Sequence, residues 1–300
     1  MKTIFLDCND QLAPVWARVL RPDDPKIDVN QEPFAREELP LVLAGYDIAI
    51  DDHSYMPTEL VERCKQLKHI VFLGTGPRSY MDVDALEARG INVHIIKGYG
   101  DTAVAEHSIA LLWACARDLA RMDREVRRGV WTPQEGVQLL GKTLGVIGLG
   151  GIGREVARIG AGQGMKVIGW NRTRHPEIKV PLVEIDELLA RSDAISMNLT
   201  LNDETRGFLS TERIARMKKG AIYVNTARGA LADEGALIAA LKSGHIRHAG
   251  LDVFHDEPLK PDHPLAKLEN VTLSAHAAFR TPEASETLLR RSIDIVKTIL

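Results

Sequence analysis

The chain is 300 residues long, 45% hydrophobic and 26% charged, with a formal net charge of −3. The length allows two domains or one large one, and the composition is that of an ordinary globular protein. So small a net charge gives no electrostatic reason to expect nucleic acid or a membrane as partner. Lys2 is followed by only a short apolar run before Asp7, so no signal peptide is expected. The longest uncharged apolar stretch, 108–116, falls far short of a bilayer span. Cys8, Cys64 and Cys115 have no CxxC spacing and read as reduced thiols in a cytoplasmic chain.

In chain order, the apolar runs 3–7, 46–51, 69–74 and 92–97 read as strands. Between them, 57–67 and 82–90 read as helices, the second closing at Gly90. A long helical pattern follows from Thr102 to about Arg128, with apolar positions at Val104, Ile109, Leu112, Ala116 and Leu119. After a loop-rich stretch, 127–142, a second series of strands begins: 143–149, 166–170, 194–199, 221–227, 248–254 and 271–276. Helices at 151–163, about 183–191, 211–219 and 233–243 separate them, with Ser210 and Asp233 as N-caps and Gly220 and Gly244 as stops. Thr281 caps a closing helix that has Pro282 at its first position. Two alternating series predict an α/β fold of two Rossmann-like domains, each with a parallel sheet, and a cleft between them.

Within "GVIGLGGIGREVA" (145–157), Gly148, Gly150 and Gly153 form a G-x-G-x-x-G pattern that also contains Gly151 and Ile152. Glycine is common in this chain, so the pattern alone is weak; an apolar strand before it and an amphipathic helix after it make it specific. The first glycine permits the tight turn and the second lets backbone approach a pyrophosphate. The third lets helix and strand pack closely, and the helix N-terminus faces the anion. An NAD-preferring fold would carry Asp or Glu at the end of the next strand. This chain instead reads Asn171, Arg172, Thr173, Arg174. Asn does not repel a 2′-phosphate, and two guanidinium groups can pair with one, so NADP(H) is expected over NAD(H), with NAD(H) still possible.

Four polar residues sit at or just after strand ends, where open α/β sheets bind ligands: Arg228, Asp252, Glu257 and His276. With these residues in this order, the chain resembles the D-isomer-specific 2-hydroxyacid dehydrogenase family along nearly its whole length. The resemblance rests on "GDTAVAEHSIALL" (100–112), "GKTLGVIGLGGIG" (141–153), "VNTARGALADEGAL" (224–237), "GLDVFHDEPL" (250–259) and "NVTLSAH" (270–276). It implies that Arg228 grips the substrate carboxylate and that His276 is the general acid that protonates the carbonyl oxygen. It implies that Glu257 orients His276 and favours its charged form. It places Asp252 near the nicotinamide and adds Thr102, Thr226 and Ala227 to the cofactor-binding set.

In the first domain, Gly74, Thr75 and Gly76 match the family loop whose backbone amides meet the substrate carboxylate, and Arg78, Ser79, Tyr80, His53, Ser54 and Tyr55 would shape its far end. The resemblance implies a substrate domain of residues 1–98 plus about 283–300, and a dinucleotide-binding domain of 99–282. It also implies a homodimer built around the helix from residue 102, and a small 2-oxoacid or 2-hydroxyacid substrate such as glyoxylate or hydroxypyruvate. The chain departs from the family at Ser274-Ala275, where Thr-Pro is usual, and at Ala277-Ala278. It also has Gly100 where Asn is frequent, and these departures leave the shape of the His276 loop open. A non-catalytic dinucleotide-sensing scaffold of the same fold, or a dehydrogenase of another small anion, stands as the alternative.

Overall fold

The computed structural model describes all residues except Arg174, His175 and Glu177. The chain forms two compact units, Met1–Gly100 with Arg280–Leu300, and Asp101–Phe279.

The first unit holds five parallel strands: β1 (Thr3–Phe5), β2 (Ile27–Val29), β3 (Ile48–Asp51), β4 (His69–Phe72) and β5 (Asn92–Ile95). Their order, β2-β1-β3-β4-β5, is that of a flavodoxin-like sheet. Alternate residues of each strand point to opposite faces, and both faces are covered. Ile4, Ala49, Ile70 and Phe72 pack with Leu39, Leu43 and Leu86 on one face. Phe5, Ile48, Ile50 and Val71 pack with Trp16 and with Leu288, Leu289, Ile293 and Val296 on the other. That second layer comes from the helix Ala13–Val19 and the closing helix Pro282–Ile299, which Thr281 caps at the Ala284 amide. Arg290 locks the closing helix in place. Its guanidinium makes two bonds, 2.7 and 2.9 Å, to Asp24, whose side chain is 2% exposed.

Two sequence expectations change in this unit. β2 was not foreseen: it is a three-residue edge strand with no fully buried position, so no apolar run marks it. The helix expected over 57–67 is only Thr58–Val61. Beyond it the chain turns with i→i−3 bonds, as at Cys64 to Val61 and Leu67 to Cys64. The buried residues Val61, Cys64 and Leu67 recur every third position, a spacing that suits a three-residue turn better than an α-helix.

The second unit contains β6 (Thr143–Ile147), β7 (Lys166–Trp170), β8 (Ala194–Met197), β9 (Ala221–Asn225), β10 (Ile246–Leu251) and β11 (Val271–Leu273). All pair in parallel, in the order β11-β10-β9-β8-β6-β7. The long helix expected from Thr102 to Arg128 is two helices, Asp101–Arg117 and Leu119–Arg127. Asp118 separates them in the left-handed region at φ 56°, a conformation that Asp tolerates better than most residues. The first helix buries Ala105, Ile109, Leu112 and Ala116 against Leu144, Val146, Ile222 and Val224 of the sheet. The second buries none of its residues.

Candidate active site

The site is assembled at the carboxyl ends of β6 to β11. At the end of β6, Gly148 has φ 89°, and a Cβ there would stand 2.8 Å from the Asn198 carbonyl oxygen. A Cβ on Gly150 would meet nothing within 4 Å, which leaves open space beside the backbone. A Cβ on Gly153 would collide with the Gly148 carbonyl at 1.9 Å, and one on Gly151 with the Asp101 carboxylate at 1.8 Å. The helix Gly151–Gly162 has Gly150 as its N-cap, a residue with no side chain to cap the first amides. A tight turn, open space beside Gly150 and a helix N-terminus behind it are the features by which loops of this kind approach a pyrophosphate. Sequence reasoning missed one neighbour. Asn198, just past β8, gives its amide to Ser196, and its Oδ1 is buried with no partner among the described residues.

The turn after β7 differs from a ribose-binding one. Asn171 is committed to the loop itself: its Oδ1 accepts from the Leu149 amide at 2.9 Å and its Nδ2 donates to the Thr173 carbonyl at 2.6 Å. Thr173 is exposed. Arg172 extends into solvent and pairs with Glu204, both side chains being about 70% exposed. The fourth expected residue, Arg174, lies outside the described residues.

Arg228 follows β9 in extended backbone, and its Nη1 donates to the Ala227 carbonyl at 2.7 Å. Asn225 braces this turn, with Oδ1 on the Ala227 amide and Nδ2 on the Arg228 carbonyl. Gly229 is required there, because a Cβ would lie 2.1 Å from the Phe254 backbone. Thr226 is buried and bonds to Ser108 at 2.7 Å, so its hydroxyl points into the helix while its backbone stays at the strand end. Thr102 lies exposed in the first turn of that helix.

The Glu257 carboxylate reaches His276. Its Oε2 lies 2.7 Å from Nδ1, and its Oε1 accepts from the Phe254 amide at 2.9 Å. Burial pushes the Glu257 carboxyl up, but the bonds from His276 and Phe254 and the charges of His276 and Arg228 outweigh it. The carboxyl is held below its ordinary value. The far ring nitrogen of His276 has no partner among the described residues. Arg228, Glu257 and His276 are therefore brought together.

The His276 backbone is strained, with φ 48° in a residue other than glycine. Asp252, fully buried at the end of β10, holds three consecutive amides of this loop. Its carbonyl accepts from His276 at 2.8 Å, Oδ1 from Ala277 at 3.0 Å and Oδ2 from Ala278 at 2.9 Å. Oδ1 also accepts from the Ser274 hydroxyl at 2.5 Å, and Ser274 is in turn 2.9 Å from His107 Nε2. Burial would raise the Asp252 carboxyl, but the bonds from His107, Ser274 and the two alanine amides hold it below the ordinary carboxylate range. The loop left open by Ser274-Ala275 is thus shaped by hydrogen bonds rather than by a proline ring.

In the first unit, the Gly74 amide is taken by the Phe72 carbonyl at 2.8 Å and its own carbonyl by Ile96. Its amide is therefore not offered to a ligand. Thr75 is exposed and Gly76 half-buried. Arg78 is committed to Asp84 by two 2.7 Å bonds, and Ser54 donates to Asp7 at 2.7 Å. His53, Phe72, Tyr80 and Tyr55 form an aromatic cluster, with neighbouring ring centres 5.0 to 5.8 Å apart.

A glycine cradle at a helix N-terminus, with a paired histidine and carboxylate beside an arginine, defines a dinucleotide-dependent α/β protein. A family model for the D-isomer specific 2-hydroxyacid dehydrogenase NAD binding domain matches residues 109–278. A hydroxypyruvate reductase of Thermotoga maritima is 36% identical over 281 residues, 91% of this chain and 90% of that protein. A D-3-phosphoglycerate dehydrogenase of Archaeoglobus fulgidus is 39% identical over 258 residues, 84% of this chain but only 49% of that protein. The chain therefore spans about half the length of that relative. A solved glyoxylate reductase from Paecilomyes thermophila superposes with a TM-score of 0.84 at 30% identity, over 99% of this chain and 95% of that one. The chain belongs to the D-isomer-specific 2-hydroxyacid dehydrogenase family, oxidoreductases that act on the CH–OH group. Its second unit is the family's NAD-binding Rossmann domain.

Proposed function

We propose that this chain is a 2-oxoacid reductase that prefers NADP(H), accepts NAD(H), and acts on a small substrate such as glyoxylate or hydroxypyruvate. The observation that carries the reading is the 2.7 Å His276–Glu257 pair on the same strand-end edge as Arg228. Arg228 holds the substrate carboxylate through its planar fork. His276 gives the proton of its ring nitrogen to the carbonyl oxygen. Glu257 fixes the ring through the other nitrogen and compensates its charge. Thr75 and Gly76 offer backbone to the substrate carboxylate. Gly148, Gly150, Gly151, Ile152 and Gly153 hold the pyrophosphate, with Thr102, Thr226, Ala227 and Asp252 lining the cofactor's other end. The bound nicotinamide would supply the hydride.

The NADP(H) preference is supported by the absence of a carboxylate at Asn171 and by the exposure of Arg172. Its pairing with the equally exposed Glu204 is weak enough for a phosphate to displace. A homodimer is supported by the large apolar side chains left exposed over 119–140, namely Leu119, Val126, Val130, Trp131 and Leu140. Three buried free thiols are consistent with a cytoplasmic protein. No helix among the described residues is long and apolar enough to cross a membrane.

The test is turnover of glyoxylate, hydroxypyruvate, pyruvate, phenylpyruvate and longer 2-oxoacids with each cofactor. Reduction of the smaller acids, fastest with NADPH, is expected. Tight NADPH binding with no oxidation across the panel would make the protein a scaffold instead.

A further inference from the structure

We propose that His107 and Ser274 are positioning residues for the proton donor: with the buried Asp252 they form a brace that keeps the His276 loop in its strained conformation. The inference rests on the reading of His276 as the proton donor. Left to itself, a histidine at φ 48° would relax to ordinary backbone, because the left-handed region is unfavourable for a residue with a Cβ. The ring would then leave Glu257. What opposes relaxation is one acidic residue gripping three amides in a row, those of His276, Ala277 and Ala278. The grip needs the Asp252 carboxylate to keep one orientation.

Ser274 supplies that constraint, because its hydroxyl donates to the oxygen that also receives the Ala277 amide. With its proton spent on Asp252, the Ser274 oxygen can only accept from His107, so Nε2 carries hydrogen and donates. His107 stands on the helix Asp101–Arg117, which is packed on the sheet through Leu111, Leu112 and Cys115. The brace therefore runs from a rigid helix to Asp252 by two routes, through Ser274 and directly, His107 Nε2 lying 3.5 Å from Asp252 Oδ1, and from there to the loop. It takes the place of the rigidity that a proline at Ala275 would give.

The test separates this brace from the activity itself. Ser274→Ala and His107→Ala remove a link, whereas Ser274→Thr and His107→Gln keep a hydroxyl and an N–H donor at the same places. Hydrogen–deuterium exchange of the backbone amides over 274–280 should speed up about tenfold or more in the alanine variants, the worth of one bond to a charged group. It should return to the wild-type rate in Ser274→Thr. For the substrate reduced fastest by wild type, kcat should fall by a similar factor while the Kd of the reduced cofactor stays within about twofold. Unchanged exchange in both alanine variants would overturn the brace, as would a kcat loss that Ser274→Thr fails to restore. Should the wild type reduce no 2-oxoacid, the functional reading falls, and the exchange measurement still decides whether the brace exists.

Discussion

Replacing Glu257 by Gln isolates the charge on the group that holds His276. The amide oxygen can still accept from Nδ1, so ring orientation is kept while the negative charge is lost. A hydrogen bond between ionised partners is worth about 1.5–3 kcal/mol. Here the two side chains are 32% and 35% exposed, and water screening lowers the figure to about 1 kcal/mol. At about 1.4 kcal/mol per decade, kcat/KM for reduction should fall about fivefold in the variant. Burial pushes the Glu257 carboxyl up, but the bonds from His276 and Phe254 hold it below its ordinary value, so the wild type keeps this charge at pH above the ordinary carboxylate range and loses it as pH falls through the lowered value. The gap between wild type and variant should therefore be full at neutral pH and close in acid. The assay is kcat/KM for reduction against pH, with both proteins at matched ionic strength. No gap at neutral pH, or one that does not narrow in acid, would refute the assignment of Glu257.

Arg228→Lys keeps the charge but not the planar fork, and kcat/KM for the 2-oxoacid should fall by about 100-fold with cofactor Kd nearly unchanged; a loss of only a few-fold removes Arg228 as the carboxylate clamp. Arg172→Ala should lower the NADPH-to-NADH ratio of kcat/KM by about tenfold, whereas Glu204→Gln should raise it by freeing Arg172; ratios unmoved in both would make Arg172 a solvated turn residue. Arg290→Ala leaves the buried Asp24 carboxylate with Lys297 and the Arg21 amide and should cost about 3 kcal/mol in denaturant unfolding. The bond from Arg290 holds the Asp24 carboxyl well below its ordinary value. That stabilisation is present above the unfolded pKa and is lost as pH falls through the folded one. The gap between wild type and variant should therefore narrow in acid, and a gap that is constant with pH would remove the pair from this role.

Much of the fold could be read along the chain because its signals are local. Apolar runs mark ten of the eleven strands among the described residues, and the caps Ser210, Asp233 and Thr281 bond to Arg213, Ala236 and Ala284 as their positions predict. The glycine pattern was legible because the strand before it and the helix after it are local signals, although the groups that exclude a Cβ at Gly148 and Gly151, namely Asn198 and Asp101, lie far off in the chain. Elements with weak local signals are not legible in this way. β2 is short and half-buried, and the spacing of Val61, Cys64 and Leu67 resembles a helical one although the chain turns there with i→i−3 bonds. The break at Asp118 hides in a continuous helical pattern, because one left-handed residue leaves no mark on hydrophobic spacing.

The sequence by itself determined which chemical groups are present and which strand ends carry them. Residue order and periodicity place Arg228, Glu257 and His276 on one sheet edge before any contact is known. Only the tertiary structure decided what those groups are free to do. Asn171 cannot be read as a ribose ligand or a loop brace until the Leu149 amide is seen on its oxygen. Arg78 reads as a shaper of the substrate's far end, and nothing in its neighbourhood along the chain shows that its guanidinium pairs with Asp84. His107 and Ser274 lie 167 residues apart, and no spacing rule joins them. The physical reason is that hydrogen-bonding capacity belongs to the residue, whereas its use depends on which partner folding brings within about 3 Å.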